Sequence, residues 1–279
     1  MIVLASGLVW FSIWLKLAFS GQVNVPQQLN FGFLTVHIYG ICIALAMSAA
    51  LATALYRSEK ILFSRQQIEN LFVYLIIFGF VGARIFHVFS QWHIYKSQPL
   101  EIFAVWHGGL GIYGAIAGGL IALVIFRKIY KIGLPVFQLL DWLVPSLLIG
   151  QIIGRFGNFF NYELFGRPTG AVWGMYVPEQ FRPLEFFNQQ FFTPLFLYEA
   201  LLNLALLVII LASSSKVNKP GLVFASYLVS YGLIRFFLEF LKIEPILLAG
   251  WRINSILALI LSATGLVIAI YVIRYRSEI

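Results

Sequence analysis

Thiols, imidazoles and carboxylates are scarce in this chain. Among 279 residues there are one cysteine and four histidines, and only 11% of residues are charged. The lone Cys42 excludes an intrachain disulfide and any CxxC metal or redox motif, and reads as a small packed hydrophobe. The histidines show no HExxH or related spacing, so no metal site and no cofactor are expected. A GxSxG elbow, a P-loop and a ladder of acidic residues through successive apolar segments are also missing, which removes hydrolase, nucleotide-binding and proton-pump readings. Asp141 is the sole aspartate, and its place near the start of an apolar run suits capping or pinning a helix. Finally, a soluble domain carries about 25% charged residues. This chain does not.

What is present is apolar: 61% of residues are hydrophobic. Apolar windows of about 20 residues, the length needed to cross a bilayer as a helix, fall near 34–56, 68–90, 110–126, 136–154, 195–213, 221–241 and 253–273. The windows show no period-two alternation, so helices are expected over a barrel. The expected fold is an all-α integral membrane protein with about seven transmembrane helices, forming one polytopic domain over 1–279. An eighth apolar stretch, 3–19, lies within a segment 1–33 that reads as an N-terminal arm or an extra span. Cleavage as a signal peptide is not expected, because a basic n-region is lacking and Lys16 stands where a small residue is required before Ala18.

The net charge of +8 is distributed by position. Arg57, Lys60, Arg65, Arg127, Lys128, Lys131, Lys216, Lys219, Arg274 and Arg276 all fall on one side of the expected spans, which the positive-inside rule makes cytoplasmic. The opposite connections hold Lys96, Arg167, Arg182, Lys242 and Arg252. This places the C-terminus in the cytoplasm and removes nucleic acid as the reason for the charge. Ser213 to Pro220 reads as a polar turn between helices. The one long connection, 155–194, is rich in Gly, Pro and aromatic residues and is expected to form a folded extracytoplasmic head.

Four places put polar groups beside the outer half of the bundle. His37 and Tyr39 begin a span and suit either an interfacial aromatic belt or a site. Arg84 falls inside an apolar span, with His87 one turn away, and suits either a structural pair or chemistry. Trp106 to Gly114 is glycine-rich, compatible with helix packing or with close approach to a ligand, and Gly114, Gly118 and Gly119 read as packing positions. The densest is Gly154-Arg155-Phe156-Gly157-Asn158-Phe159-Phe160-Asn161-Tyr162-Glu163-Leu164-Phe165-Gly166-Arg167, which is joined by Tyr198-Glu199 and by Tyr231, Arg235 and Glu239 on one helix face. Arginine offers a planar, permanently charged fork suited to phosphate. These residues therefore point to a site for an anionic lipid in the outer leaflet, without establishing a reaction.

The segment from Gly154 to Arg167 resembles the signature of the bacterial phosphatidylglycerol–prolipoprotein diacylglyceryl transferase family, GRxGNFxNxE followed by a hydrophobic pair and Gly-Arg. His37 to Gly40, Gly82 to Arg84, Trp106 to Leu110, Pro194 with Leu197 to Glu199, and Tyr231 to Arg235 with Glu239 resemble its other blocks, in order. The resemblance implies a bacterial plasma-membrane enzyme. It would move sn-1,2-diacylglyceryl from phosphatidylglycerol to the lipobox cysteine of a prolipoprotein signal peptide, with the active site toward the outer leaflet and no metal. It assigns Arg155 and Arg235 to the head-group phosphate, Asn158 and Glu163 to orienting the lipid, and Tyr39 and Tyr231 to the reacting centre. Glu239 would hold Arg235, and Gly166 would allow a close backbone approach. His37 and Arg84 join the lipid-binding set. Tyr113 stands where many members have a candidate histidine base, Tyr162 where a Gly is common, and Asn254 near a usual Gln. The alternative is an inactive lipid-binding or lipid-transporting protein of the same fold.

Overall fold

Apolar side chains on every face of a segment, with no water to satisfy its backbone, leave the α-helix as the only local solution. The computed structural model, which describes residues 2–58, 63–214, 219–243, 247–248 and 250–275, is built on that principle. Lys60, Lys216 and Arg276 of the basic set, and positions 215–218 of the expected turn, lie outside the described residues. In chain order the elements are α1 (Ile2–Phe19), β1 (Gln28–Asn30), β2 (Thr35–His37), α2 (Ile38–Tyr56), α3 (Arg65–Ser90), α4 (Trp92–Tyr95), α5 (Ile112–Ile129) and α6 (Val136–Phe160). There follow β3 (Met175–Tyr176), β4 (Phe191–Phe192), α7 (Leu195–Ser213), α8 (Leu222–Glu239), β5 (Leu247–Leu248), β6 (Trp251–Arg252) and α9 (Ile253–Tyr275). Among the described residues, seven helices are long and apolar enough to cross a membrane: α2, α3, α5, α6, α7, α8 and α9. The protein is an all-α integral membrane protein.

Two span boundaries differ most from the hydropathy reading. The first apolar window opens at 34, but Thr35–His37 pairs antiparallel with Gln28–Asn30, so the helix starts at Ile38. The fourth window closes at 154, where polar residues begin. Helical hydrogen bonding ignores side-chain polarity, and α6 continues to Phe160. Arg155 and Asn158 therefore ride on a helix.

The chain divides into two compact units, residues 51–143 and residues 1–50 with 144–279. In the 51–143 unit, α3 opens with a capping box: the Gln67 amide donates to the Ser64 hydroxyl at 3.2 Å, and the Ser64 amide donates to the Gln67 side chain at 2.9 Å. Glycines then let α3 and α5 touch. A Cβ on Gly114 would stand 2.1 Å from the Gly82 carbonyl oxygen, and one on Gly118 would stand 2.0 Å from that of Phe78. Gly119 faces only Leu75 at 3.9 Å and is not part of this seam. Ile68, Leu71, Leu123, Phe126 and Trp142 form the core, and the Trp142 indole donates to the Arg57 carbonyl at 3.0 Å.

In the other unit, α8 and α9 meet in the same way, with a Cβ on Gly232 falling 2.6 Å from the Ala258 carbonyl oxygen. An apolar cluster of Val144, Leu148, Leu206, Leu207, Ile210 and Leu228 joins α6, α7 and α8. Past α6 the chain folds into a small aromatic domain around the β3–β4 pair, with Phe159, Tyr162, Met175, Phe192 and Phe196 at its centre. The last turns of α1 belong to that core: Phe19 stacks on Phe159 at 5.6 Å, and Trp14 stacks on Phe160 at 6.0 Å.

Candidate functional site

Three apolar helices of the second unit bring their polar residues together. α6 contributes Arg155 and Asn158 near its C-terminal end, α7 contributes Glu199 just after its start, and α8 contributes Tyr231 and Arg235 near its end. Glu199 is fully buried and is the hub. One carboxylate oxygen accepts from Arg155 at 2.6 Å and from the Tyr231 hydroxyl at 3.2 Å, while the other accepts from Arg235 at 2.7 Å. Arg155 also donates to the Asn158 side-chain oxygen Oδ1 at 3.2 Å. The Asn158 amide donates in turn to Glu163 at 3.3 Å, as does that of Asn161. A single network thus runs Glu163–Asn158–Arg155–Glu199–Arg235.

The charges decide what this arrangement can do. A carboxylate stripped of water is tolerable only when its charge is matched and its lone pairs are used. Two guanidiniums and a phenol accomplish this for Glu199, while Glu163 stands beyond Asn158 at one end of the network and Glu239 at the edge of Arg235. The Arg155 and Arg235 side chains keep 24% and 21% of their surface exposed, so both stay partly accessible. The pair suits an anion held by two forks.

The expected hold of Glu239 on Arg235 exists only at the limit of ion-pair range, 4.0 Å. The short bond to Arg235 comes from Glu199. Glu239 instead lies 3.2 Å from the Lys242 ammonium and accepts from the Asn254 amide at 3.0 Å. Glu199 is named among the outer polar residues in the sequence but is given no role in the expected site. A lone carboxylate in an apolar helix is its sequence signal.

Tyr39, in the first turn of α2, lies against the same network: a Cβ on Gly157 would strike its ring at 2.9 Å. His37 ends β2 and lines a cavity of about 920 Å³ with Gln27, Asn161, Glu163, Phe181 and Arg182. Gly166 does permit a close backbone approach, but to the protein's own Leu241 carbonyl, 2.6 Å from where a Cβ would stand. Its amide donates to Thr193 at 2.8 Å.

Arg84 and Tyr113 belong to the 51–143 unit. Arg84 is buried, and it donates to the backbone carbonyls of Ile102 at 2.9 Å, Gly108 at 2.6 Å, Gly109 at 3.1 Å and Glu101. Four of the five donors that the expected head-group contact of Arg84 would draw on are thus engaged by backbone carbonyls. Its guanidinium gathers the loop before α5. Tyr113 sits in the first turn of α5 with its ring edge-on to Phe86 at 5.7 Å. Nearby, His107 and Glu101 form an exposed pair at 2.8 Å.

Fold and site together define a multi-pass helical membrane protein that clusters arginines around a buried carboxylate. A family model described as prolipoprotein diacylglyceryl transferase matches residues 26–271, and the chain belongs to that family. It is 36% identical to the phosphatidylglycerol–prolipoprotein diacylglyceryl transferase of Prochlorococcus marinus (strain MIT 9301), over 94% of this chain and 97% of the relative. It is 37% identical to the protein of that name in Nostoc sp. (strain PCC 7120), over 90% of each. With that of Synechococcus elongatus the identity is 38%, over 86% and 84%. Seven apolar helices and bacterial relatives make this a multi-pass bacterial membrane protein, and the name those relatives share is that of a transferase.

Proposed function

We propose that this protein transfers the sn-1,2-diacylglyceryl group of phosphatidylglycerol to the lipobox cysteine thiol of a prolipoprotein. The sulfur attacks the glyceryl carbon that carries the phosphate, a carbon–sulfur bond forms, and the carbon–oxygen bond to the phosphate breaks. Glycerol 1-phosphate leaves, and the thiol proton balances the reaction on that phosphate. The demand on the protein is to stabilise charge that grows on the departing phosphate, which preorganised donors in a water-poor site do well.

The observation that carries this reading is the pair of partly exposed arginines fixed on one buried Glu199. Arg155 and Arg235 hold the phosphate in this reading, and Glu199 keeps their forks from collapsing. Asn158 and Glu163 orient the lipid, Tyr39 and Tyr231 line the reacting centre, and His37 lies at the neighbouring cavity. Tyr113 takes no step. The basic residues of the connections put the site toward the outer leaflet and the C-terminus in the cytoplasm. Residues 155–194 then serve as the extracytoplasmic head of one polytopic domain, with 1–33 preceding the seven spans.

The test is conversion of a synthetic lipobox peptide in phosphatidylglycerol vesicles, read by mass spectrometry. Arg155→Ala and Arg235→Ala should each slow thioether formation by about 100-fold or more, the loss typical of a transition-state donor. Unchanged rates in both would remove the arginine pair from the mechanism. No product from any anionic lipid with the unaltered protein would remove the transferase reading itself.

A further inference from the structure

α6, α7 and α8 each carry a second polar residue one turn away from the arginine–glutamate network: Gln151 before Arg155, Asn203 after Glu199 and Tyr227 before Tyr231. α6 and α8 reach the network near their C-terminal ends and α7 near its N-terminal end, so all three steps lead inward along the helices. The Gln151 amide donates to the Tyr227 hydroxyl at 2.8 Å, and the Tyr227 ring stacks on Tyr231 at 5.6 Å. One turn further in, Leu148, Leu206 and Leu207 close the tier with apolar packing.

This tier carries hydrogen-bonding groups that the protein leaves unused. Asn203 is fully buried, and among the described residues neither its oxygen nor its nitrogen has a hydrogen-bond partner. The same holds for the Gln151 oxygen and for the Arg155 Nε. Buried polar atoms are nearly always paired, so these four mark hydrogen-bonding capacity that the protein does not spend on itself. The chemistry of a group that would match them follows from the mixture. Two of these atoms are acceptors and two are donors. An anion would meet the two acceptors, and a cation would meet the two donors. Hydroxyl groups, which donate and accept, satisfy both kinds.

We propose that Asn203, with Gln151 and the Arg155 Nε–H, reads the paired hydroxyls of a glycerol head group whose phosphate lies on Arg155 and Arg235. A helical turn rises about 5.4 Å, comparable to the reach from a phosphate to the far hydroxyl of its glycerol ester. The tier therefore selects a diol-bearing head group, and Asn203 is a specificity residue. This rests on the transferase reading above.

The experiment compares two donor lipids with the purified full-length protein in vesicles, phosphatidylglycerol and phosphatidyl-n-propanol, which keeps the phosphate ester and lacks the hydroxyls. The unaltered protein should use phosphatidylglycerol at least about tenfold better, since a site built for hydroxyls rejects an analogue without them. Asn203→Leu, which keeps the branched shape and removes both hydrogen-bonding groups, should bring that ratio to within about threefold of unity, and Gln151→Met should narrow it in the same direction. A ratio that Asn203→Leu leaves intact overturns the proposal. A second arm needs no variant: calorimetry on the unaltered protein should find glycerol 1-phosphate binding at least about tenfold tighter than n-propyl phosphate. Equal affinities overturn the proposal. Failure of the unaltered protein to transfer from either lipid, with the binding difference intact, would instead count against the transferase reading.

Discussion

Glu199 has no exposed surface and lies between two arginines that each reach it within 2.7 Å. Breaking such a buried group by removing one charge strands the others, at a cost of about 3–5 kcal/mol. Glu199→Gln should therefore lower the melting temperature in detergent and reduce peptide conversion by about 100-fold, whereas Glu199→Asp keeps the charge and should recover most of the stability. Wild-type melting and conversion in Glu199→Gln would deny the carboxylate its hub role. The sequence advertises Arg235 and Glu239 as a pair because they are four apart on one helix, and local spacing is all that a sequence displays. The contact that dominates instead joins α7 to α8, across 36 residues. Tyr162 illustrates a cost that sequence reading also hides. Its φ of 52° is a left-handed conformation that favours glycine. The ring is buried and stacked on Phe181 at 4.9 Å, its hydroxyl accepts from the Val25 amide at 3.1 Å, and burial pushes that hydroxyl above its usual pKa. Deleting a buried aromatic ring costs about 3–5 kcal/mol, more than the backbone relief of about 1 kcal/mol. Tyr162→Gly should accordingly lower the melting temperature, and an unchanged or higher value would show that strain outweighs packing.

At the scale of elements, the spans are legible because lipid imposes one rule on every residue in it. Their ends are not legible where another rule takes over. Strand pairing claims Thr35–His37, and α6 carries its hydrogen bonds past Gly154 into the polar segment. Glycine roles divide in the same manner. Gly118 and Gly119 are indistinguishable by composition, yet only Gly118 stands where a Cβ would strike the α3 backbone, 2.0 Å from the Phe78 oxygen. Gly118→Ala should force α3 and α5 apart and lower stability. Gly119→Ala, with Leu75 3.9 Å away, should be neutral or gain up to about 1 kcal/mol of helix propensity. Equal melting temperatures for the two variants would remove the glycine seam. The Arg84 side chain ties α3 to the loop before α5 through four carbonyl groups. Arg84→Gln should therefore raise amide hydrogen exchange across residues 98–111. A rise in the KM for phosphatidylglycerol with loop exchange unchanged would instead put Arg84 at the lipid site.

For the molecule as a whole, the open property is sidedness, and the chain offers a clean way to measure it. Its single cysteine, Cys42, is buried, so a Cys42→Ser background gives no competing thiol. Gly133 and Gly170 are exposed, take no left-handed φ and have nothing within 4 Å of where a Cβ would stand, so cysteine fits at either. α6 is the one apolar span between them. A thiol at Gly133 and a thiol at Gly170 must therefore face opposite sides of the membrane if α6 crosses it. The direction follows from charge: Arg127, Lys128 and Lys131 precede Gly133 closely, and basic residues close to span ends are retained on the cytoplasmic side. In intact cells stripped of any outer barrier, a membrane-impermeant maleimide should label Gly170→Cys and should reach Gly133→Cys only after permeabilisation. Labelling of both without permeabilisation would mean that α6 does not span. The reverse pattern would turn the protein over and place the arginine network against the inner leaflet. A lipobox cysteine delivered outside could not meet it there, so this one measurement bears on the reaction as well as on the topology.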